Sequence, residues 1–154
     1  MFIGSFTHTL DTAGRFVMPK SFRYSLGERF YITKGMGCLN VLTEDQMRAF
    51  AQKLESRGDI TESVYNSDLS LLQHHFFSGL TEAKIDGQNR LTIPQELKTY
   101  ADIRSAVTVC GRGNYVEIWG SEALCEYERS VMTPEALAAA AKNIFGKKED
   151  EPVS

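Results

Sequence analysis

The chain is poor in cysteine and proline, carries no excess of basic charge, and has no long apolar run. No stretch is apolar for the length of a membrane span. The opening Met1-Phe2-Ile3-Gly4-Ser5-Phe6 has no basic region followed by an apolar core. No secretion signal is expected there, and the reading is intracellular. Cys38, Cys110 and Cys125 form no C-x-x-C pair and are odd in number. They read as reduced, mostly buried thiols, not as a disulfide frame or a zinc site. His74 and His75 are adjacent, so on a helix they point about 100° apart. No third ligand stands at metal spacing, so no metal is expected. No serine or cysteine has an evident base and orienter. The Gly-x-Gly pairs lack the following helix pattern of a nucleotide loop. The chain therefore reads as a non-enzyme without a cofactor.

Lysine and arginine number 17 against 20 aspartate and glutamate, for a net charge of −3. That argues against unspecific coating of nucleic acid, but a site-specific binder needs only a local positive face. The charge is uneven. Met1 to Thr43 holds five bases (Arg15, Lys20, Arg23, Arg29, Lys34) and two acids (Asp11, Glu28), net +3. From Gly113 onward four bases face eight acids, net −4.

What is present is a repeat. Leu10-Asp11-Thr12-Ala13-Gly14-Arg15-Phe16-Val17-Met18-Pro19 aligns with Ile85-Asp86-Gly87-Gln88-Asn89-Arg90-Leu91-Thr92-Ile93-Pro94 at an offset of 75 residues. The pattern is apolar-D-x-x-[G/N]-R-apolar-x-apolar-P. It continues through Phe22-Arg23 and Leu97-Lys98. It resumes, one residue out of step, at Gly35-x-Gly37 and Gly111-x-Gly113. Asp, Arg and Pro in register over ten positions mark a duplication.

Each copy predicts the same elements. A strand (Phe6 to Leu10; Ala83 to Ile85) leads into a tight turn, where Gly14 and Asn89 hold the place that tolerates positive φ. A short alternating strand follows (Phe16, Met18; Leu91, Ile93), ended by Pro19 or Pro94 at the start of a short helix. Two more strands close the unit: Phe30 to Thr33 with Leu39 to Leu42, and Ala106 to Cys110 with Tyr115 to Trp119. Thr43-Glu44-Asp45-Gln46 is a capping box opening a helix that Gly58 ends. A second helix is expected from about Glu62 to Phe77, buried through Val64, Leu71, Leu72 and Phe76. A further helix follows Ser121, and Pro134 to Phe145 is Ala-rich and helical. Gly146 to Ser154 is charged and expected to be disordered. The fold class is α+β: two tandem β-rich units share one core about a pseudo-two-fold, because one unit alone is too small for a core. The boundaries expected are 1–79, 80–133 and a C-terminal helix and tail, 134–154.

Met1-Phe2-x-Gly4 followed by Leu10-Asp11-x-x-Gly14-Arg15-Phe16-x-x-Pro19-x-x-Phe22-Arg23, with the second Asp86-x-x-x-Arg90, resembles the MraZ family. That family belongs with the AbrB-like, swapped-hairpin DNA-binding folds. The resemblance covers roughly Met1 to Val131. It implies two AbrB-like halves in one chain and homo-oligomeric rings of about eight or more subunits. It implies binding to direct repeats in double-stranded DNA upstream of its own operon. It also implies repression of a division and cell-wall gene cluster, in the cytoplasm and on the nucleoid. By motif position Arg15 is the foremost DNA contact, and Arg90 holds the matching place. One departure is that Thr12-Ala13 carries no base where many members have one in the first motif, and the second turn, Gly87-Gln88-Asn89, also lacks a base before Arg90.

An arginine at a hairpin rim reaches a phosphate or the O6/N7 edge of guanine. Lys20 and Arg23, within two helical turns, add phosphate contacts. Asp11 and Asp86 hold the turns or orient the arginines. The competing reading makes Asp11–Arg15 and Asp86–Arg90 ion pairs that only pin a turn. The alternative function is a ring-forming scaffold or protein-regulating module with the acidic second half as its working surface.

Overall fold

The computed structural model describes residues 1–146. Beyond Gly146, the expectation for the charged tail lies outside the described residues. The first half contains β1 (Ser5–Thr9), β2 (Arg15–Val17), α1 (Lys20–Leu26), β3 (Phe30–Lys34) and β4 (Leu39–Thr43). Helices α2 (Glu44–Glu55), α3 (Ile60–Tyr65) and α4 (Ser67–Ser78) follow. The second half repeats the series as β5 (Thr81–Ala83), β6 (Arg90–Thr92), α5 (Gln95–Tyr100), β7 (Ala106–Gly111) and β8 (Val116–Gly120). It ends in α6 (Ser121–Ser130) and α7 (Pro134–Ala141), which runs into a wider turn, Lys142–Gly146.

Six strands form one sheet in the order β1-β7-β8-β4-β3-β5, with every pair antiparallel. β2 and β6 form a separate two-stranded ribbon. If each strand is replaced by its repeat equivalent, the order reads the same from the other end. That is the signature of a pseudo-two-fold between β4 and β8. The strands before and after each Asp-to-Arg turn thus sit in different sheets. β1 joins β7 of the other half while β2 joins β6. This is the swapped-hairpin arrangement.

The register corrects the alignment. Phe30 pairs with Thr43 and Val107 with Gly120, so equivalent residues of these strands stand 77 apart. Arg15 opposite Thr92 and Val17 opposite Arg90 keep the ribbon at 75. The second half therefore carries two extra residues before β7, not one. The matched glycines concealed this, because the positive φ falls one place earlier in the second turn, at Gly113 rather than at the equivalent of Gly37. At an offset of 77 the core agrees. Phe30, Ile32, Leu39 and Val41 match Val107, Val109, Val116 and Ile118, all fully buried. The ribbon and the short helices cover this face with Phe16, Met18, Phe22, Leu91, Ile93 and Leu97. Burying each such side chain contributes about 1.5–3 kcal/mol.

The other face of the sheet is helical. The Thr33 hydroxyl donates to the Phe76 carbonyl at 3.3 Å, and the Phe50 and Phe76 rings meet at 4.6 Å. The capping box of α2 forms as read: Thr43 Oγ1 accepts from Gln46 N, and Gln46 Oε1 from Thr43 N. That helix ends at Glu55 with Ser56 as its cap, before Gly58. The expected helix from Glu62 to Phe77 is two helices. Asn66 breaks it, with φ −90° and ψ 107°, and its side chain caps Asp68 N and Leu69 N. The break resets the helical phase. Leu69 and Phe76 face inward, while Val64, Leu71 and Leu72 are 66%, 68% and 54% exposed. The strands shift too: β1 runs Ser5–Thr9, one residue earlier than expected, and β5 runs Thr81–Ala83, sharing only Ala83 with the expected strand. The cysteines are free, but only Cys38 is buried; Cys110 is half-buried and Cys125 exposed.

Candidate nucleic-acid interface

Each Asp-to-Arg turn is built by one carboxylate. Asp11 Oδ1 accepts from Ala13 N and Arg15 N, both at 2.9 Å. Asp11 Oδ2 accepts from Arg15 Nε at 2.8 Å. Asp86 repeats this with Gln88 N at 2.8 Å, Arg90 N at 2.9 Å and Arg90 Nε at 2.9 Å. Gly14 N donates to Asp11 O and Asn89 N to Asp86 O, both at 3.0 Å. The next backbone is left-handed, with φ 76° at Gly14 and 64° at Asn89. This is a type I turn closed by a left-handed residue, which Gly and Asn tolerate best. These hydrogen bonds hold both aspartates below the usual carboxylate range. The backbone N–H of the following arginine is the largest cause in each case.

The two turns interlock. Met18 N donates to Asn89 O and Ile93 N to Gly14 O, both at 3.1 Å. Phe16 and Leu91 point inward from the ribbon and are buried. By strand alternation Arg15, Val17, Arg90 and Thr92 share its outward face. Arg90 Nη1 approaches Asp11 Oδ2 at 3.8 Å, joining both turns in one charge cluster. The arginine side chains are 32% and 26% exposed, so neither is sealed inside an ion pair. Among the described residues the Nη groups of Arg15 have no acceptor. The ion pairs position the guanidinium groups and leave donors to spare.

The other expected residues lie on α1. Lys20 opens it and is exposed. Arg23 is half-buried, and its Nε donates to the Met18 carbonyl at 3.0 Å, tying α1 to the ribbon. Lys98 is the repeat equivalent of Arg23, and sequence reasoning passed it over as a site residue. A Cβ at Gly14 would meet Lys98 Nζ at 3.4 Å, so the second half places an ammonium beside the first turn. The repeat alignment paired Lys98 with Arg23, but only the swap brings it across. Among the described residues no group of three or more His, Cys, Asp or Glu could hold a metal. No helix there is long and apolar enough to cross a membrane.

A family model described as "MraZ protein, putative antitoxin-like" matches residues 1–64 and 76–146. The chain belongs to the MraZ family. The two matched segments hold one Asp-to-Arg turn each. The duplication, the ribbon and the family match thus describe one double-domain α+β chain. MraZ is a regulatory family, not an enzymatic one.

Proposed function

We propose that this MraZ chain is a sequence-specific DNA-binding transcription regulator that docks its β2–β6 ribbon in the major groove. It represses the division and cell-wall gene cluster that contains its own gene. It acts in the cytoplasm, on the nucleoid. The observation that carries the reading is the outward ribbon face: two arginines, positioned by aspartates yet with free donors, with the Lys98 ammonium beside the first turn. A two-stranded ribbon fits a groove about 12 Å wide, and arginine matches the guanine edge there. The acidic total charge is no obstacle, since a site-specific binder needs only a local positive face, and Met1 to Thr43 carries a net +3.

A homo-oligomeric ring would set one ribbon per subunit against direct repeats and gain affinity through effective concentration. Apolar surface left open on α3, α4 and after α7 supports such assembly: Ile60, Val64, Leu71, Ile144 and Phe145 are 66% to 81% exposed. The same surface favours a second reading, a ring-forming scaffold that regulates other proteins.

The test is fluorescence anisotropy on duplex DNA from upstream of the chain's own reading frame, against a shuffled duplex. The native duplex should bind about a thousandfold tighter, and binding should weaken with salt. Arg15→Ala should cost about tenfold to a hundredfold, and Arg15→Lys should not restore it, because lysine lacks the fork. Equal binding to both duplexes, or an Arg15→Ala variant with unchanged promoter occupancy, would move the assignment to the scaffold.

A further inference from the structure

The two turns share one backbone and differ at the apex. Ala13 and Gln88 are repeat equivalents, and each backbone N–H is fixed by the Oδ1 of its own aspartate. Both residues are exposed. The first apex offers a methyl group and the second a primary amide. The backbone of the second turn is already held by Asp86, so the Gln88 side chain adds nothing to it. Among the described residues that amide has no hydrogen-bond partner. Gly87 beside it leaves open space, with no atom within 4 Å of where a Cβ would stand.

We infer that Gln88 is a base-reading residue that takes an adenine edge in the major groove. This rests on the DNA-binding reading above and gives it a second specificity element. Adenine presents N7 as acceptor and the N6 amino group as donor. A glutamine amide supplies the complementary N–H and C=O side by side. Guanine presents two acceptors at the same place and suits Arg15 instead. The duplicated turns therefore read different bases. β2 and β6 are antiparallel, so the turns lie at opposite ends of a three-residue ribbon. With the ribbon along the groove, the ends are roughly 7–10 Å apart. The adenine then lies about two to three base-pair steps from the Arg15 contact.

The test uses the full chain and the native upstream duplex, with each adenine replaced in turn by 7-deazaadenine, which lacks the N7 acceptor. The parent protein should lose about tenfold or more in affinity at one adenine. Gln88→Ala should bind that duplex and the unmodified one equally, with its salt dependence unchanged. Ala13 occupies the equivalent apex, so alanine is compatible with this turn and the variant should fold. The inference is overturned if Gln88→Ala keeps the parent's positional profile, if it weakens equally on every duplex, or if the parent has no sensitive adenine. A parent that does not prefer the native duplex over the shuffled one overturns the DNA-binding reading itself, and this inference with it.

Discussion

Asp11 and Asp86 each divide one carboxylate between two tasks, shaping the turn with Oδ1 and orienting an arginine with Oδ2. Both are held below their ordinary pKa by the hydrogen bonds they accept. A carboxylate with a depressed folded pKa contributes stability above its unfolded value, about 3.9. That contribution disappears as pH falls through the lower folded value. Asp11→Asn with Asp86→Asn keeps the Oδ1 acceptors and removes both charges. The double variant should melt below the parent at neutral pH and lose less of its Tm as the pH falls below about 4. Parallel Tm curves for the two proteins would refute the linkage. Cys38 shows the opposite effect. Burial first, then the Glu117 carboxylate, pushes its thiol up to about 12. Its Sγ lies 3.5 Å from Glu117 Oε2, which also holds Arg112 at 2.7 Å. A maleimide at neutral pH should modify exposed Cys125 first and Cys38 only on unfolding, because the thiolate is the nucleophile. Early loss of the Cys38 thiol, read by peptide mapping, would contradict this.

The ribbon is the element on which stability and function meet. Phe16 is 2% exposed and anchors it, whereas Val17 is 46% exposed on the outward face. Phe16→Ala should cost about 3–5 kcal/mol in urea unfolding, while Val17→Ala should stay within about 0.5 kcal/mol. Comparable losses from the two would mean that the ribbon faces have been assigned the wrong way round. Much of this element was legible. Asp, Gly or Asn, Arg and Pro at fixed spacing encode a local turn, and local turn chemistry survives in sequence. Alternation said which face of each strand turns inward, but not which strand lies beside it. β1 pairs with β7, about a hundred residues away, and only the fold reveals that. The place of Lys98 beside Gly14 was hidden for the same reason. The break at Asn66 did leave a trace, an Asn followed by Ser67-Asp68 of the kind that caps a helix. The run of apolar residues across it suggested one continuous helix instead. The two-residue insertion before β7 was masked by glycines that align at the wrong offset.

At the scale of the whole molecule, the duplication has produced one core rather than two. In the first half alone β1 would lose β7, β2 would lose β6, and β4 would lose β8. Only the β3–β4 hairpin keeps its partner within residues 1–79, and it would present Phe30, Ile32, Leu39 and Val41 to water. A lone hairpin over so little apolar cover is marginal at best. Joining the halves near Gly79 makes their pairing intramolecular, at an effective concentration on the order of millimolar. A fragment of residues 1–79 should therefore lack a cooperative thermal transition by circular dichroism, and so should residues 80–154. Mixed at equal concentration, the two should recover the sheet signal and a single transition. The Tm of that mixture should rise with concentration, because folding and association have become one step. A dispersed NMR spectrum and a cooperative melt from residues 1–79 alone would show that the halves are separate domains resting against each other.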